Sequence, residues 1–419
     1  MDVKGGYPWW PVRNGLLHDY PPLTNDHECE VAVVGAGITG ALIARALIDA
    51  GLDTIVLDRR DVGWGSTAAS TALLQYEIDT ELLELSKRVG RENALAAYKA
   101  CEAAVSELHA ISDEIGNVGW RESPSLYVAS WQRDARRLRP EFEARRDSGF
   151  NVEWLGEPAL RDRFGLIAPA AILSRPAAFV DPYRFTHRLL AGLCAKGLRV
   201  YDRCEMVEWK PDAGALDIRV NTGACLRAQW LVVSGGYETQ KFLPQRVAVN
   251  HSSYAFVSEP LELTSEFAHC IGWETARPYL YWRSTEDGRL IVGGEDDKID
   301  IPARRDWRIP RKVEKLLARL GELMPDLQPA VGFAWAGTFA ETEDGLPFFG
   351  AHPQLDPRVL FAMAYGGNGI TYSAIGAHIL TKAMRGELHP LAVLFGFGRD
   401  HDPRTQTDSR QVTANRLLR

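Results

Sequence analysis

The pattern of apolar and polar positions near the start of the chain predicts a strand, a turn and a helix. Glu30–Val34 is a short apolar strand, and glycines at positions 35, 37 and 40 follow it in the spacing G-x-G-x-x-G. Apolar residues then recur on one face of a helix that Gly51 ends. Thr54–Leu57 predicts a second strand, which stops at an acid, Asp58.

This order of elements is typical of a dinucleotide-binding unit. The first glycine permits a tight turn, the second allows the backbone to approach a pyrophosphate, and the third lets the helix lie close to the strand. Asp58, 18 residues after Gly40, is placed to accept the hydroxyls of an adenosine ribose. The unit alone does not distinguish a nicotinamide that dissociates from a flavin that stays bound, and a glycine-rich turn can also pack closely without a ligand.

Two further stretches of small residues favour a long bound ligand. Gly65–Ala72 is rich in Gly, Ser, Thr and Ala, which lets backbone and hydroxyl groups lie against a flat ligand, although Ser66 or Thr67 can also cap a helix. A second glycine turn, Gly366–Gly369, precedes an apolar helix more than 300 residues after the first turn. The positive end of this helix dipole would favour negative charge on the pyrimidine edge of a reduced flavin.

The middle of the chain predicts an excursion from a doubly wound α/β core. Asp181–Gly197 is a predicted helix, and a three-strand antiparallel meander follows it at Cys204–Trp209, Leu216–Val220 and Ala224–Arg227. The stretch "QWLVVSGG" then predicts a buried strand that returns to the core. Alternating apolar and polar residues within 118–154 and 246–307 indicate antiparallel strands, and Arg311–Met324 predicts an amphipathic helix.

Composition and charge exclude several classes of protein. The net charge of −7 over 419 residues argues against a nucleic-acid partner. No stretch approaches the ~20 apolar residues of a membrane span, and the first residues do not resemble a secretory signal. The six cysteines are scattered without paired spacing, so we expect reduced thiols, a cytoplasmic location and no metal site.

Seven motifs, in this order, resemble those of the FAD-dependent glycine/D-amino acid oxidase (DAO) family, particularly its sarcosine oxidase and γ-glutamylputrescine oxidase branches. They are "VAVVGAGITG", "VGWGSTAAS", "AAFVDPYRF", "WLVVSGGYE", "DGRLIVGGEDD", "WAGTFAETEDGLPFFG" and "YGGNGIT". The resemblance extends from about Val31 to Leu380. It implies an α/β fold with a Rossmann-like FAD-binding domain of the glutathione-reductase type and a second, mostly antiparallel-sheet substrate domain.

Within this resemblance we expect a discontinuous arrangement of domains. An N-terminal arm occupies residues 1–28, and its Trp9 and Trp10 are expected to pack across the body of the protein. The FAD-binding domain comprises 29–117, 155–245 and 325–390, the substrate domain 118–154 and 246–324, and a C-terminal tail 391–419.

The resemblance also implies which residues hold FAD. Because the sarcosine oxidase branch attaches its flavin through a cysteine in the segment equivalent to Trp335–Leu346, and this segment has no cysteine, noncovalent FAD is expected. The implied FAD-binding residues are Gly35, Gly37, Gly40, Asp58, Arg59, Ser66, Thr67, Ser70, Thr71, Leu73, Val207, Ser234, Gly235, Gly367, Asn368, Gly369, Ile370 and Thr371.

The activity implied is oxidation of a C–N bond in a small-molecule amine or N-substituted amino acid. A hydride would pass from the carbon next to nitrogen to flavin N5, and water would hydrolyse the resulting imine. Two alternatives stay open: a flavoprotein of the same fold that binds or assembles a partner or serves as an electron-transfer subunit, and an NAD(P)-linked dehydrogenase.

The sequence departs from its relatives at two positions that concern the substrate and the electron acceptor. Glycine-type oxidases have an arginine that clamps the substrate carboxylate where this chain has Phe339. Sarcosine oxidases have a lysine above the flavin where this chain has an apolar residue, Ile291 by alignment, so O2 and another electron acceptor both stay open. Arg283 is a candidate substitute clamp or a surface residue. The candidate catalytic and substrate-binding residues are Tyr279, Tyr281, Arg283, Trp335, Phe339 and Tyr365.

Overall fold

A computed structural model of the chain describes residues 2–263, 265–363 and 365–399. Within these ranges the strands, numbered in chain order, are β1 Lys4–Gly6, β2 His27–Val34, β3 Thr54–Leu57, β4 Leu73–Gln75, β5 Arg121–Glu122, β6 Ser125–Val128, β7 Asn151–Gly156, β8 Ala170–Arg175, β9 Ala177–Phe179, β10 Arg199–Tyr201, β11 Met206–Asp212, β12 Ala215–Val220, β13 Cys225–Val233, β14 Val249–Ser258, β15 Ile271–Glu274, β16 Leu280–Ser284, β17 Leu290–Asp297, β18 Val331–Glu341, β19 Phe348–Ala351 and β20 Val359–Met363.

The α-helices are α1 Trp9–Asn14, α2 Ile38–Asp49, α3 Ser66–Ala69, α4 Leu82–Val89, α5 Arg91–Ile115, α6 Gln132–Asp147, α7 Glu157–Phe164, α8 Pro182–Cys194, α9 Ser265–Ala268, α10 Pro302–Trp307, α11 Ile309–Leu323 and α12 Gly369–Met384. Two 3₁₀ helices cover Gly236–Phe242 and Gly366–Asn368. No helix in the described ranges combines the length and the apolar character that crossing a bilayer requires.

The first sheet has a parallel core in the order β10-β3-β2-β13, and β20 pairs in parallel with the second half of β13. Helices α2, α5, α8 and α12 contribute to the apolar core packed against it. The antiparallel strands β11 and β12 extend this sheet beyond β13. This arrangement confirms the predicted α/β class with a Rossmann-like unit.

The predicted meander and returning strand are joined more directly than we expected. Instead of a third short strand followed by a separate buried strand, β13 runs without a break from Cys225 to Val233. Its first half pairs with β12 and its second half with β20, while β2 runs along most of its length. A single strand therefore serves both the meander and the parallel core.

The second sheet has nine strands in the order β1-β18-β14-β17-β16-β15-β6-β8-β7, and all its pairs are antiparallel except β15 with β6. Successive residues of a strand point to opposite faces. On one face Tyr254, Phe256 and Trp282 pack against apolar residues of α11. The other face carries Ser253 and Ala255 to the main cavity.

The expected domain boundaries do not follow the two sheets. The nine-stranded sheet contains three strands that lie wholly or partly in the expected FAD-binding domain. These are β7, which crosses the expected boundary at 155, β8, which lies after it, and β18, which lies after the boundary at 325. The arm also contributes a strand, since β1 pairs with β18. Of the expected C-terminal tail, 391–399 is described and buries Phe395, whereas 400–419 lies outside the described residues.

Candidate active site

The first glycine turn connects β2 to α2 and brings the start of the helix close to the strand. Gly35 has φ +114°, a conformation that side chains disfavour. A Cβ at Gly40 would lie 1.8 Å from the carbonyl oxygen of Gly35, so only glycine allows this approach. The backbone N–H of Ile38 donates to Thr67 Oγ1 at 3.0 Å, which joins the turn to α3.

Asp58 lies at the end of β3 beside this turn. Its carboxylate accepts hydrogen bonds from the backbone N–H of Ala36 at 2.7 Å and of Arg60 at 2.8 Å. Burial raises the pKa of Asp58 to about 6, because the charged form loses solvation. The carboxylate lines the cavity and is placed to accept further hydrogen bonds from a ligand.

Around Asp58, the charged residues that line the cavity form a connected network. Glu238 pairs with both Arg59 and Arg60, and the Arg60 Nη1–Glu238 Oε2 distance is 2.8 Å. Glu205 pairs with Arg59 at 3.6 Å and with Lys241 at 3.3 Å. Sequence reasoning identified Arg59 but missed the acids, because Glu205 lies just before β11 and Glu238 lies in the 3₁₀ helix after β13, and neither belongs to a motif.

The second glycine turn lies between β20 and α12. The backbone N–H of Gly367 donates to Asp79 Oδ2 at 2.8 Å. Asn368 donates through Nδ2 to the carbonyl of Glu77 at 2.6 Å, and Thr371 donates to the carbonyl of Gln75 at 3.4 Å. Thr371 thus holds the end of β4, and Asn368 holds the segment that follows it.

The two glycine turns line one continuous cavity, as the proposal of a single long ligand requires. Of the expected FAD-binding residues, those that line it are Gly35, Gly37, Asp58, Arg59, Ser66, Thr67, Ser70, Thr71, Leu73, Ser234, Gly235, Gly367, Gly369 and Ile370.

Four expected FAD-binding residues lie outside this lining: Gly40, Val207, Asn368 and Thr371. Gly40 acts through its approach to Gly35. The Val207 side chain is exposed, and its neighbours Glu205 and Met206 line the cavity instead. Val207 therefore lies on a strand that borders the cavity, without lining the cavity itself.

Residues from the nine-stranded sheet form the other end of the cavity. Tyr279, Tyr281, Trp335 and Phe339 line it, and Tyr365 does so from the second glycine turn. The structure thus brings together five of the six candidate substrate residues. Trp273, Ser253 and Tyr237 also line this end and were not predicted.

Arg283 does not line the cavity, in contrast to the clamp or surface role considered from the sequence. It is 2% exposed, and its Nη1 donates to the backbone carbonyls of Val180 at 2.8 Å and Ala72 at 3.2 Å. Its guanidinium lies 5.0 Å from the ring of Trp10 and 4.3 Å from that of Phe179. Arg283 shares a strand face with Tyr281, but the N-terminal arm covers it.

The arm and the nine-stranded sheet also hold the segment of small residues at 66–72. Trp10 Nε1 donates to the carbonyl of Ser70 at 2.6 Å, and Trp335 Nε1 donates to that of Ala69 at 2.9 Å. Both tryptophans are almost completely buried. This segment lines the cavity between the two glycine turns.

The cavity suits the chemistry of FAD. A glycine turn at a helix start suits a pyrophosphate, Asp58 suits ribose hydroxyls, and the aromatic end with a second helix start suits an isoalloxazine ring. At Gly65, which lines the cavity, an added Cβ would meet no protein atom within 4 Å, so the backbone there is open to a ligand.

Comparison with known proteins agrees with this geometry. The model of the family described as FAD dependent oxidoreductase (DAO) matches residues 30–383. The γ-glutamylputrescine oxidoreductase of Escherichia coli (strain K12) is 24% identical over 387 residues, which cover 88% of this chain and 86% of that protein.

Solved structures show the same fold. The crystal structure of glycine oxidase from Geobacillus kaustophilus superposes with a TM-score of 0.75 at 19% identity and covers 89% of this chain and 99% of that one. L-proline dehydrogenase from P. horikoshii gives a TM-score of 0.76 at 16% identity, with 88% and 97% covered.

These findings answer the question that the first glycine motif left open, since the family uses a flavin. The protein is an enzyme, an FAD-dependent oxidoreductase, and its cofactor is FAD. The expected resemblance is confirmed, and the chain belongs to the DAO family of FAD-dependent oxidoreductases.

Proposed function

We propose that the enzyme oxidises a C–N bond of an amine or N-substituted amino acid to an imine, which water then hydrolyses. The observation that carries this proposal is the single cavity that joins the dinucleotide turn to an aromatic chamber under the nine-stranded sheet. FAD, when bound, would supply the acceptor for a hydride from the carbon next to nitrogen.

The protein's own residues contribute binding, orientation and exclusion of water. Tyr279, Tyr281 and Phe339 supply aromatic faces that can hold an amine, including by cation–π contact while it is protonated. Ser253 Oγ and Tyr281 Oη lie 3.1 Å apart, which fixes the tyrosine ring in the chamber. Tyr365 and Trp335 complete the apolar walls.

We propose that the fourteen cavity-lining residues of the expected FAD site contact FAD and that it binds noncovalently. Among the described lining residues, Cys204 is the one thiol, and it lies beside the charged network around Asp58. Its Sγ accepts the backbone N–H of Leu23 at 2.8 Å, and burial raises its pKa, so it is a poor nucleophile. Acid precipitation should release all of the flavin into the supernatant.

The test is an anaerobic screen of amines and amino acids against the purified yellow holoenzyme. Bleaching of the flavin absorbance by an amine, with formation of the matching aldehyde or keto product, is the expected result. If no amine or amino acid bleaches the flavin, the proposed oxidation is wrong and a role in binding or assembly gains support.

The electron acceptor is identified by the second stage of the same experiment. Ile291 is buried against Trp9 and Trp10 and does not line the cavity, and none of the lining residues among those described at the aromatic end is a lysine. Reoxidation by air at a rate that supports turnover identifies O2, and slow reoxidation identifies a dehydrogenase with another acceptor.

We propose the cytoplasm as the compartment. All six cysteines are free thiols, and four of them are buried. Unpaired thiols are typical of proteins in a reducing environment.

A further inference from the structure

Charge is distributed unevenly along the cavity. Seven charged residues line it, and six of them belong to the network of hydrogen bonds and ion pairs around Asp58. The seventh is Asp79, which lies on the segment after β4, beside the second glycine turn. At the aromatic end, the lining residues that the structure describes thus include one carboxylate and no lysine or arginine.

The Asp79 carboxylate has a fixed position and spare hydrogen-bonding capacity. One oxygen accepts the backbone N–H of Gly367 at 2.8 Å. A carboxylate can accept about four hydrogen bonds, so most of this capacity is open to a ligand. Burial raises the pKa of Asp79, and a nearby cation would favour its charged form.

Arg277 is the cation that faces Asp79 from outside the cavity. Its Nη2 donates to the backbone carbonyl of Asp79 at 3.4 Å, and its guanidinium lies 4.8 Å from the ring of Tyr279. Arg277 is exposed and does not line the cavity. It therefore leaves the cavity side of the carboxylate free.

A second acidic side chain, Asp296, lies in the same region, where burial raises its pKa to about 7. Asp296 Oδ1 is buried and has no hydrogen-bond partner among the described residues. Burial raises the pKa of Tyr279, and Asp79 and Asp296 add to this shift, so the tyrosine that lines the chamber lies within reach of both acids. Lys312 is the cation that acts on Asp296. Lys315 pairs instead with Glu295, and Arg319 pairs with Glu274 and Glu295.

The chemistry of amine oxidation limits what Asp79 can bind. The nitrogen that reacts must be neutral, so a carboxylate that held only the reacting ammonium would oppose the reaction. A carboxylate in the chamber is useful when it holds a second group that stays protonated. A substrate carboxylate would be repelled by Asp79, and Phe339 offers it no hydrogen bond.

We propose that Asp79 is a specificity-determining residue that selects diamines, with one neutral amine at the flavin and a second, charged ammonium at its carboxylate. This inference rests on the proposed amine oxidation and assigns its substrate class. The aromatic walls formed by Tyr279 and Tyr281 favour the same cationic ligand.

A matched series of substrates tests this assignment on the holoenzyme. Linear α,ω-diamines, monoamines and ω-amino acids of three to six carbons are compared by anaerobic flavin reduction in stopped flow. Diamines are expected to reduce the flavin with kcat/KM at least tenfold above monoamines of equal length, and ω-amino acids to be the poorest. If monoamines or amino acids are preferred, the assignment to Asp79 is overturned while amine oxidation stands. If none of the series or of the wider screen reacts, the proposed function itself fails.

Variants of Asp79 then connect the preference to this residue. Asp79→Asn keeps an oxygen for the Gly367 N–H and is expected to lower kcat/KM for diamines roughly tenfold to a hundredfold, mainly through KM, with monoamines unchanged. Asp79→Glu should restore part of the preference. Exposed Asp326→Asn, in the turn after α11, is the matched control and should change neither. An equal loss for monoamines and diamines would show that Asp79 has only a structural role. A loss of amino-acid oxidation in Arg277→Gln would assign recognition to Arg277 instead and would overturn the proposal.

Discussion

Gly40→Ala is the sharpest test of the close approach between α2 and the first glycine turn. The added Cβ would lie 1.8 Å from the Gly35 carbonyl oxygen and 3.0 Å from its carbonyl carbon. Carbon–oxygen contacts in proteins are ~3.3 Å or longer, so the helix would have to move by about 1.5 Å. The neighbour is backbone, which cannot rotate away as a flexible side chain could.

The displacement has a predictable cost. Overpacking of this kind typically costs about 1–3 kcal/mol. Because the start of α2 is the expected phosphate site, most of this cost should appear in FAD binding. We expect the dissociation constant of FAD to rise roughly tenfold to a hundredfold. The assay is titration of apoprotein with FAD, followed by quenching of flavin fluorescence.

A matched variant separates this effect from a general effect of adding a methyl group. Gly192 lies within α8, and a Cβ there would meet no atom within 4 Å. Gly192→Ala should therefore bind FAD normally and be stabilised by roughly 0.5–1 kcal/mol in urea unfolding. If Gly40→Ala binds FAD as tightly as the wild type, the inferred role of this contact is refuted.

Three further perturbations test other parts of the site. Burial raises the pKa of Asp58 to about 6, and FAD should bind the charged carboxylate, so FAD affinity should fall up to tenfold per pH unit below 6. Asp58→Asn should bind FAD weakly at every pH in this range. If FAD binding to this variant still depended on pH, the assignment to Asp58 would be contradicted. Trp10→Phe removes the hydrogen bond to the Ser70 carbonyl and should weaken FAD binding about fivefold when apoprotein is titrated with FAD. Unchanged FAD affinity would show that the arm does not position segment 66–72. Burial lowers the pKa of His187 to about 4, so protonation of the unfolded state should reduce the free energy of unfolding by up to about 3 kcal/mol as the pH falls from 6.5 to 4. In urea unfolding, His187→Phe should lose less stability than the wild type over this pH range. If the free energy of unfolding fell equally with pH in both proteins, the role assigned to His187 would be refuted.

The sequence predicted those parts of the site that depend on local backbone geometry. A strand, three spaced glycines, a helix and a terminal acid are contiguous, and each glycine has a steric reason that involves its immediate neighbours. The structure accordingly has β3 at the predicted residues and Asp58 beside the turn. The family resemblance added Ser66–Leu73 and the second glycine turn, and most of the residues expected there line the same cavity.

Contacts between distant segments were not predictable in the same way. Asp79 and Gly367 are hydrogen-bonded although 288 positions separate them, and neither the spacing nor the composition of "LLQYEIDT" indicates a ligand. Arg283 shows a second limit of sequence-based prediction, because alternation along a strand does not reveal which segment covers a side chain. Strand alternation places it on the same face as Tyr281, but it does not show that Trp10 covers that position. Periodicity gives the direction of a side chain and leaves its surroundings undetermined.

The two sheets line different ends of the cavity, and this explains why the expected cofactor residues could be predicted better than the expected substrate residues. The ends of the parallel strands carry the proposed dinucleotide site, whose form we expect to be dictated by a constant ligand. The nine-stranded sheet lines the aromatic end of the cavity, which we propose as the substrate chamber and where this chain has Phe339. Trp335 and Trp10 connect the two by donating to the backbone of Ala69 and Ser70. Because these bonds use backbone carbonyls, the segment between the sheets can be held in place whatever substrate the chamber selects. Specificity can therefore change at Asp79 or Phe339 while the flavin site stays the same.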